Sequence, residues 1–271
     1  MSAKNVISVN MSKSRSSLKD PPKKQPRKQP RKADAYHHGD LKQGLLKAAI
    51  RHLETSGPET LSLRELAQEL GVSQAAPYRH FKDRDALIAA LSQEGFELKY
   101  QKMREAMLAT MDRPIEMFHA CARAYLGMAL EHPQHFRLMM GGTVCPDEDR
   151  PELMLAACRS FVLLKIMIRR CQRAGVIAAG DPNHRALQCW ALVHGFASLY
   201  SAGRLEWLGI HRENAVTAFD LMIEQVRSGI GRSPLPVKPG FIPFVEGESA
   251  KRGQLMEMVE LQILEETPVF R

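Results

Sequence analysis

Residues 62–81 read SLRELAQELGVSQAAPYRHF. Leu63, Leu66, Ala67 and Leu70 recur at the three- and four-residue steps that put apolar side chains on one face of a short helix. Ser62 followed three residues later by Glu65 is a capping-box pattern: the hydroxyl accepts from the Glu65 amide and the carboxylate reaches back. Gly71 stands where a helix end favours a left-handed residue. Val72 then points inward and Ser73 caps a second short helix predicted over about 74–80, with Phe81 packing back. Two short helices joined by Gly71-Val72-Ser73 form a compact pair at a steep angle.

Outward from this pair the chain stays helical in pattern. Upstream, Leu41, Leu45, Ala49, Ile50 and Leu53 line one helix face, with Asp40 as cap and Gly57-Pro58 as stop. Downstream, Asp83 starts a long helix through Leu87, Ile88, Leu91 and past Phe96. Further helices are predicted over Pro114–Glu131, Pro133–Met140, Pro151–Ala174, Pro182–Ala202 and His211–Ser228, several opening with proline in the first turn. No stretch alternates with period two, so the class is all-α: a three-helix helix-turn-helix domain over 39–100, with its motif at 62–81, and a larger helical domain over 101–231. Beyond 232, Pro234, Pro236, Pro239 and Pro243 mark a linker, and Gln254–Glu266 carries the pattern of one more helix. Residues 1–36 are polar, basic and poor in apolar side chains, the composition of a disordered tail.

The net charge of +8 is localised. Ten Lys/Arg against Asp20 and Asp34 fall in residues 1–39, and the rest of the chain balances at 28 of each sign. Such a tail is drawn to polyanions, and a flexible arm of this kind can lie in a minor groove. Residues 40–100 hold eight Lys/Arg against nine Asp/Glu, so affinity for an anion there must come from local placement. No apolar run approaches a membrane span, the N-terminus lacks a secretory core, and five cysteines without CxxC spacing suit neither a disulfide framework nor a zinc site. The expectation is a cytoplasmic protein without cofactor or metal, and no membrane partner.

The second helix of the pair is shaped for a DNA major groove, with its first residues facing base edges. Gln74 can pair bidentately with adenine, and the methyls of Ala75 and Ala76 can touch thymine. Tyr78, His80, Lys82 and Arg84 suit phosphates, and Arg79 suits either role. Ser62 and Arg64 at the start of the first helix add a second phosphate grip.

Leu63, Ala67, Gly71-Val72-Ser73, Tyr78, His80-Phe81, Arg84 and Leu87 together resemble the DNA-binding domain of the TetR/AcrR family of bacterial regulators over about residues 39–100. The resemblance implies an all-α homodimer that binds double-stranded DNA at a palindromic operator and releases it when a small molecule occupies the C-terminal domain, a ligand-responsive repressor. Pro77 stands where the family more often has leucine, and a proline inside a short helix removes one amide bond. Trp190, His194 and Gly195 resemble the Trp-x-x-x-His-Gly signature of one C-terminal subtype, the WHG domain. By the same resemblance the last two helices of the C-terminal domain build the dimer, with Trp190, His194, Leu199, Ala215 and Phe219 as candidates for interface or pocket wall.

The ligand is not named by the sequence. Methionines concentrate between Met103 and Met167, and the candidate pocket residues are Met107, Phe118, Tyr125, Phe136, Met139, Met167, Trp190 and His194. The aliphatic composition favours an apolar ligand. Two rival readings stand beside this one: an all-helical enzyme using His119, Glu131, His132 and His135, and a DNA-binding protein that takes no ligand. Against the first, no HExxH, phosphate loop or Gly-x-Ser-x-Gly is present, so no catalytic residue is assigned.

Overall fold

The computed structural model describes residues 41–142, 144–147, 149–230 and 248–271. The basic tail, the Asp40 cap and the proline-rich stretch up to residue 247 lie outside them. Every regular element among the described residues is helical. Helix α1 is Leu41–Ser56 and α2 is Leu63–Glu69. The long α3, Arg84–Ala109, is followed by α4, Pro114–Glu131, and α5, Pro133–Met140. Then come α6, Pro151–Arg173, α7, Pro182–Ser201, and α8, Ala215–Ile230. Helix α9, Glu248–Glu266, closes the chain with a 3-10 turn at Pro268–Phe270.

Most boundaries follow from local chemistry. Proline opens α4, α5, α6 and α7, where its missing N–H would have had no helical partner. Asp83 caps α3 by accepting from the Ala86 amide at 2.8 Å. Gly71 ends α2 at φ +67°, while the Gly71 and Val72 amides bond back to the Gln68 and Ala67 carbonyls at 3.1 and 3.0 Å. That is a Schellman end, and it aims the chain into the next segment.

Four sequence expectations are corrected. The Ser62 hydroxyl makes no capping bond; its extended backbone offers only its carbonyl, to the Leu66 amide at 3.1 Å. Spacing marks which groups can meet, and the hydroxyl's rotamer is free to choose otherwise. The stretch predicted as a helix over about 74–80 is instead a turn at Ser73–Ala76 running into a 3-10 turn at Pro77–Arg79, without a side-chain cap from Ser73. Its bonds run mainly over three residues, Ala76 to Ser73, Arg79 to Ala76 and His80 to Pro77. The last helix of the larger domain starts at Ala215 rather than His211, because the Asn214 amide side chain ties the preceding turn to the Gly209 carbonyl and the His211 amide, both at 2.8 Å. The terminal helix begins at Glu248, six residues before Gln254.

Helix α3 positions everything else. It packs against α1, α4, α5 and α6. It runs through residue 100, the predicted end of the first domain, without a break. Gly95 lets α5 come close: a Cβ there would meet the Met139 Sδ at 2.5 Å and the His135 Cβ at 3.1 Å. The buried core is continuous from Leu45 and Leu66 through Leu87, Leu91 and Tyr100 to Phe118, Leu163 and Ile168.

Candidate nucleic-acid interface and ligand cavity

The motif splits cleanly into an inner and an outer side. Leu63, Leu66, Ala67, Pro77, Phe81 and Leu87 are buried, and Val72 packs on them half-buried. Gln74, Ala75, Arg79, His80 and Lys82 are exposed, and Tyr78 keeps 46% of its surface. Arg64 on α2 is also exposed, while Ser62, Ala76 and Arg84 are half-buried. Pro77 explains the altered geometry. Its ring is a core side chain set at the first position of the 3-10 turn, where no amide bond is required. Lys82 and Arg84 lie 4.0 and 3.7 Å from Asp83 and Asp85. Arg79 has no acidic partner within ion-pair distance among the described residues.

In the larger domain α3, α4, α6, α7 and α8 line an apolar cavity of about 30 Å³ that is partly open to solvent. Phe118, Tyr125, Met167 and Trp190, all named from the sequence, line it. Met107 is buried elsewhere in the core, and Met139 lies against Gly95. Phe136 and His194 stand behind Tyr125 with ring centroids at 6.2 and 6.4 Å from it. Met103, Cys121, Leu164, Cys189, Val193 and Ile223 complete most of the wall and were not singled out from the sequence. Their signal was present: Met103 and Val193 continue the buried stripes of α3 and α7. Burial pushes the Cys121 and Cys189 thiols up to about 12, so both line the cavity uncharged.

One polar chain crosses the apolar wall. The Trp190 indole N–H donates to the Tyr125 hydroxyl at 3.3 Å, and that oxygen lies 3.0 Å from His194 Nδ1. Ser198 Oγ lies 3.2 Å from His194 Nε2. With Tyr125 donating to Nδ1, the proton of a neutral His194 sits on Nε2, facing Ser198. Burial, and then the charge of Lys99, hold the His194 pKa below its ordinary value. Burial raises the Tyr125 phenol.

Of the residues a metal enzyme would need, His119 pairs with Glu224 on α8 at 2.9 Å, while His132 and His135 stack edge to face at 6.1 Å. No three metal-ligating side chains converge among the described residues, and none of their helices is long and apolar enough to cross a membrane.

Known proteins resemble this chain in both halves. Residues 45–91 match the family described as bacterial regulatory proteins, tetR family, and residues 118–226 match the tetracyclin repressor-like C-terminal domain. Together they span more than half of the chain, and the WHG likeness rests on Trp190, His194 and Gly195 alone. A protein of unknown function from Rhodococcus sp. RHA1 is 35% identical, covering 73% of this chain and 100% of its own, with a TM-score of 0.63. The TetR family transcriptional regulator PfmR from Thermus thermophilus shares the fold at 19% identity, covering 68% of this chain and 97% of its own, with a TM-score of 0.55. The nucleoid occlusion factor SlmA of Alteromonas mediterranea is 24% identical over 136 residues, 50% of this chain and 68% of that protein. These matches set the enzyme reading aside. The chain belongs to the TetR family of DNA-binding transcriptional regulators.

Proposed function

We propose that the chain is a ligand-responsive repressor that holds a two-fold symmetric operator as a homodimer and lets go when a small molecule fills the cavity of the larger domain. The observation that carries the reading is the outer face of residues 74–82, side chains of base- and phosphate-binding type projected by a buried Pro77-Phe81 base. In this reading Gln74, with Ala75 and Ala76, meets base edges. Tyr78, Arg79, His80, Lys82 and Arg84 hold phosphates on one side, and Ser62 and Arg64 do so on the other.

Dimerisation is supported by α7 and α8. Leu192 and Leu199 on α7 and Val216 and Leu221 on α8 are 40–67% exposed. A Cβ added at Gly195 would meet nothing within 4 Å, so the open face of α7 can receive another helix closely. Ala215 and Phe219, named as interface candidates from the sequence, are buried inside the protomer and serve its own core. Phe219 is wedged on Phe196 at 5.2 Å.

The coupling route is α3. It begins directly after the recognition segment and carries Met103 into the cavity wall, so a ligand that displaces that wall shifts the base of the reading face. Selection of duplexes from a random pool by the purified full chain tests the reading. Enrichment of a sequence with two-fold symmetry supports it; enrichment of an asymmetric site, or of none, contradicts it.

A further inference from the structure

Lys99 stands behind the cavity wall, over the ring of Tyr125, in a place the fold alone does not account for. It lies on α3 one turn before Met103, 5% exposed, with its Nζ 4.7 Å from the Phe96 ring centroid and 5.3 Å from that of Tyr125. The two ring faces recover part of the cost of burying an ammonium, and a carboxylate or hydrogen-bond acceptor would recover far more. None of the described residues supplies one: the acids on neighbouring turns are engaged elsewhere, Glu94 toward His135 and Glu97 with Gln93, and Glu131 pairs with Lys102. The other polar groups near Tyr125 are Trp190, His194 and Ser198, which hydrogen-bond along one chain and carry no carboxylate. Burial with no compensating partner brings the Lys99 amine down to about 7.

A buried amine beside an apolar cavity, over the Tyr125 ring and with no acid paired to it, is an anion site beside a hydrophobic one. We infer that the effector is an amphipathic acid, with its carboxylate on Lys99 near Tyr125 and its hydrocarbon body between Met103, Phe118, Met167 and Ile223. This rests on the reading of the larger domain as a ligand sensor and names the class of ligand. The cavity of about 30 Å³ holds little more than a water, so the hydrocarbon enters as Met103 and Met167 change rotamer, which their three flexible bonds permit.

The test uses the full chain and straight-chain carboxylic acids of four to ten carbons, with the matching primary alcohols, followed by Trp190 fluorescence and calorimetry. The acid should bind at least tenfold more tightly than the alcohol of equal length. At pH 8 its binding should take up a proton, because an amine with a pKa near 7 is mostly neutral until the anion arrives; the alcohol should take up none. Calorimetry in buffers of different ionisation heat reads that proton without any variant. In Lys99→Met the preference for acid should vanish while alcohol binding persists. Equal binding of acid and alcohol by the native chain, or an acid preference that survives in Lys99→Met, overturns the head-group assignment and leaves the sensor reading standing. Failure of every acid and alcohol to bind overturns both.

Discussion

At the scale of single residues, Pro77 and Lys99 show what a sequence reveals and what it withholds. Pro77 is visible as the loss of one amide bond in the second helix of the motif, but the segment is a turn followed by 3-10 geometry and not the helix that the spacing predicts. That the ring is buried, and therefore fixes the outer face instead of disturbing it, depends on packing that spacing cannot report. Lys99 was legible in principle. Phe96, Lys99, Met103 and Met107 recur at three- and four-residue steps, which puts the lysine on the buried stripe of α3. A long stem usually carries its charge back to water, so the pattern alone gives no reason to expect otherwise. Gly71 was readable in full, because only its φ mattered. Gly71→Ala should cost about 1 kcal/mol of stability, purely conformational, since its Cβ would touch nothing within 4 Å. Urea unfolding of both chains checks it, and a loss much above that figure would mean that the turn is packed more tightly than described.

At the scale of elements, α4 to α7 could be delimited to within a residue because proline opens each of them. The start of α8 could not, because Asn214 diverts the backbone with its side chain, a competition that periodicity does not register. The outward faces of α7 and α8 were only half legible. Apolar residues surround both helices, so sequence alone could not separate Phe219, which serves the protomer, from Leu221, which is 67% exposed two positions later. That separation yields a test. Leu221→Glu should leave the helical content and thermal unfolding of the protomer nearly unchanged, because the side chain has little to lose inside the chain. In the proposed homodimer it should shift the protein from dimer to monomer in sedimentation equilibrium at micromolar concentration. A variant that sediments as the native chain does would move the interface away from α8.

At the scale of the whole molecule, the exposed face of residues 74–82 and the apolar cavity are joined by α3, with α9 fastened across α6. Glu260 of α9 sits 2.6 Å from Lys165 and also pairs with Arg169, and both Lys165 and Glu260 are largely buried. Arg159 holds Glu266 at 2.8 Å, and Arg170 and Arg173 donate to the Val269 and Arg271 carbonyls at 3.1 and 2.9 Å. The terminal helix was foreseeable from its pattern; its seat was not, since α6 and α9 are far apart in the chain and only the fold brings their charges together. Glu260→Gln strands a buried lysine and should cost about 3 kcal/mol, read as a lower urea midpoint, whereas an unchanged midpoint would mean that the pair is solvated. In the proposed reading, operator recognition depends on the face that begins at Gln74. Its most direct test is a titration of the selected duplex by the native chain and by one carrying both Gln74→Ala and Arg79→Ala, at fixed salt. The double variant should lose at least tenfold in affinity, from contacts worth about 1–3 kcal/mol each, with the urea midpoint unmoved because both side chains are exposed. Equal affinity of the two chains for that duplex would contradict recognition through this face.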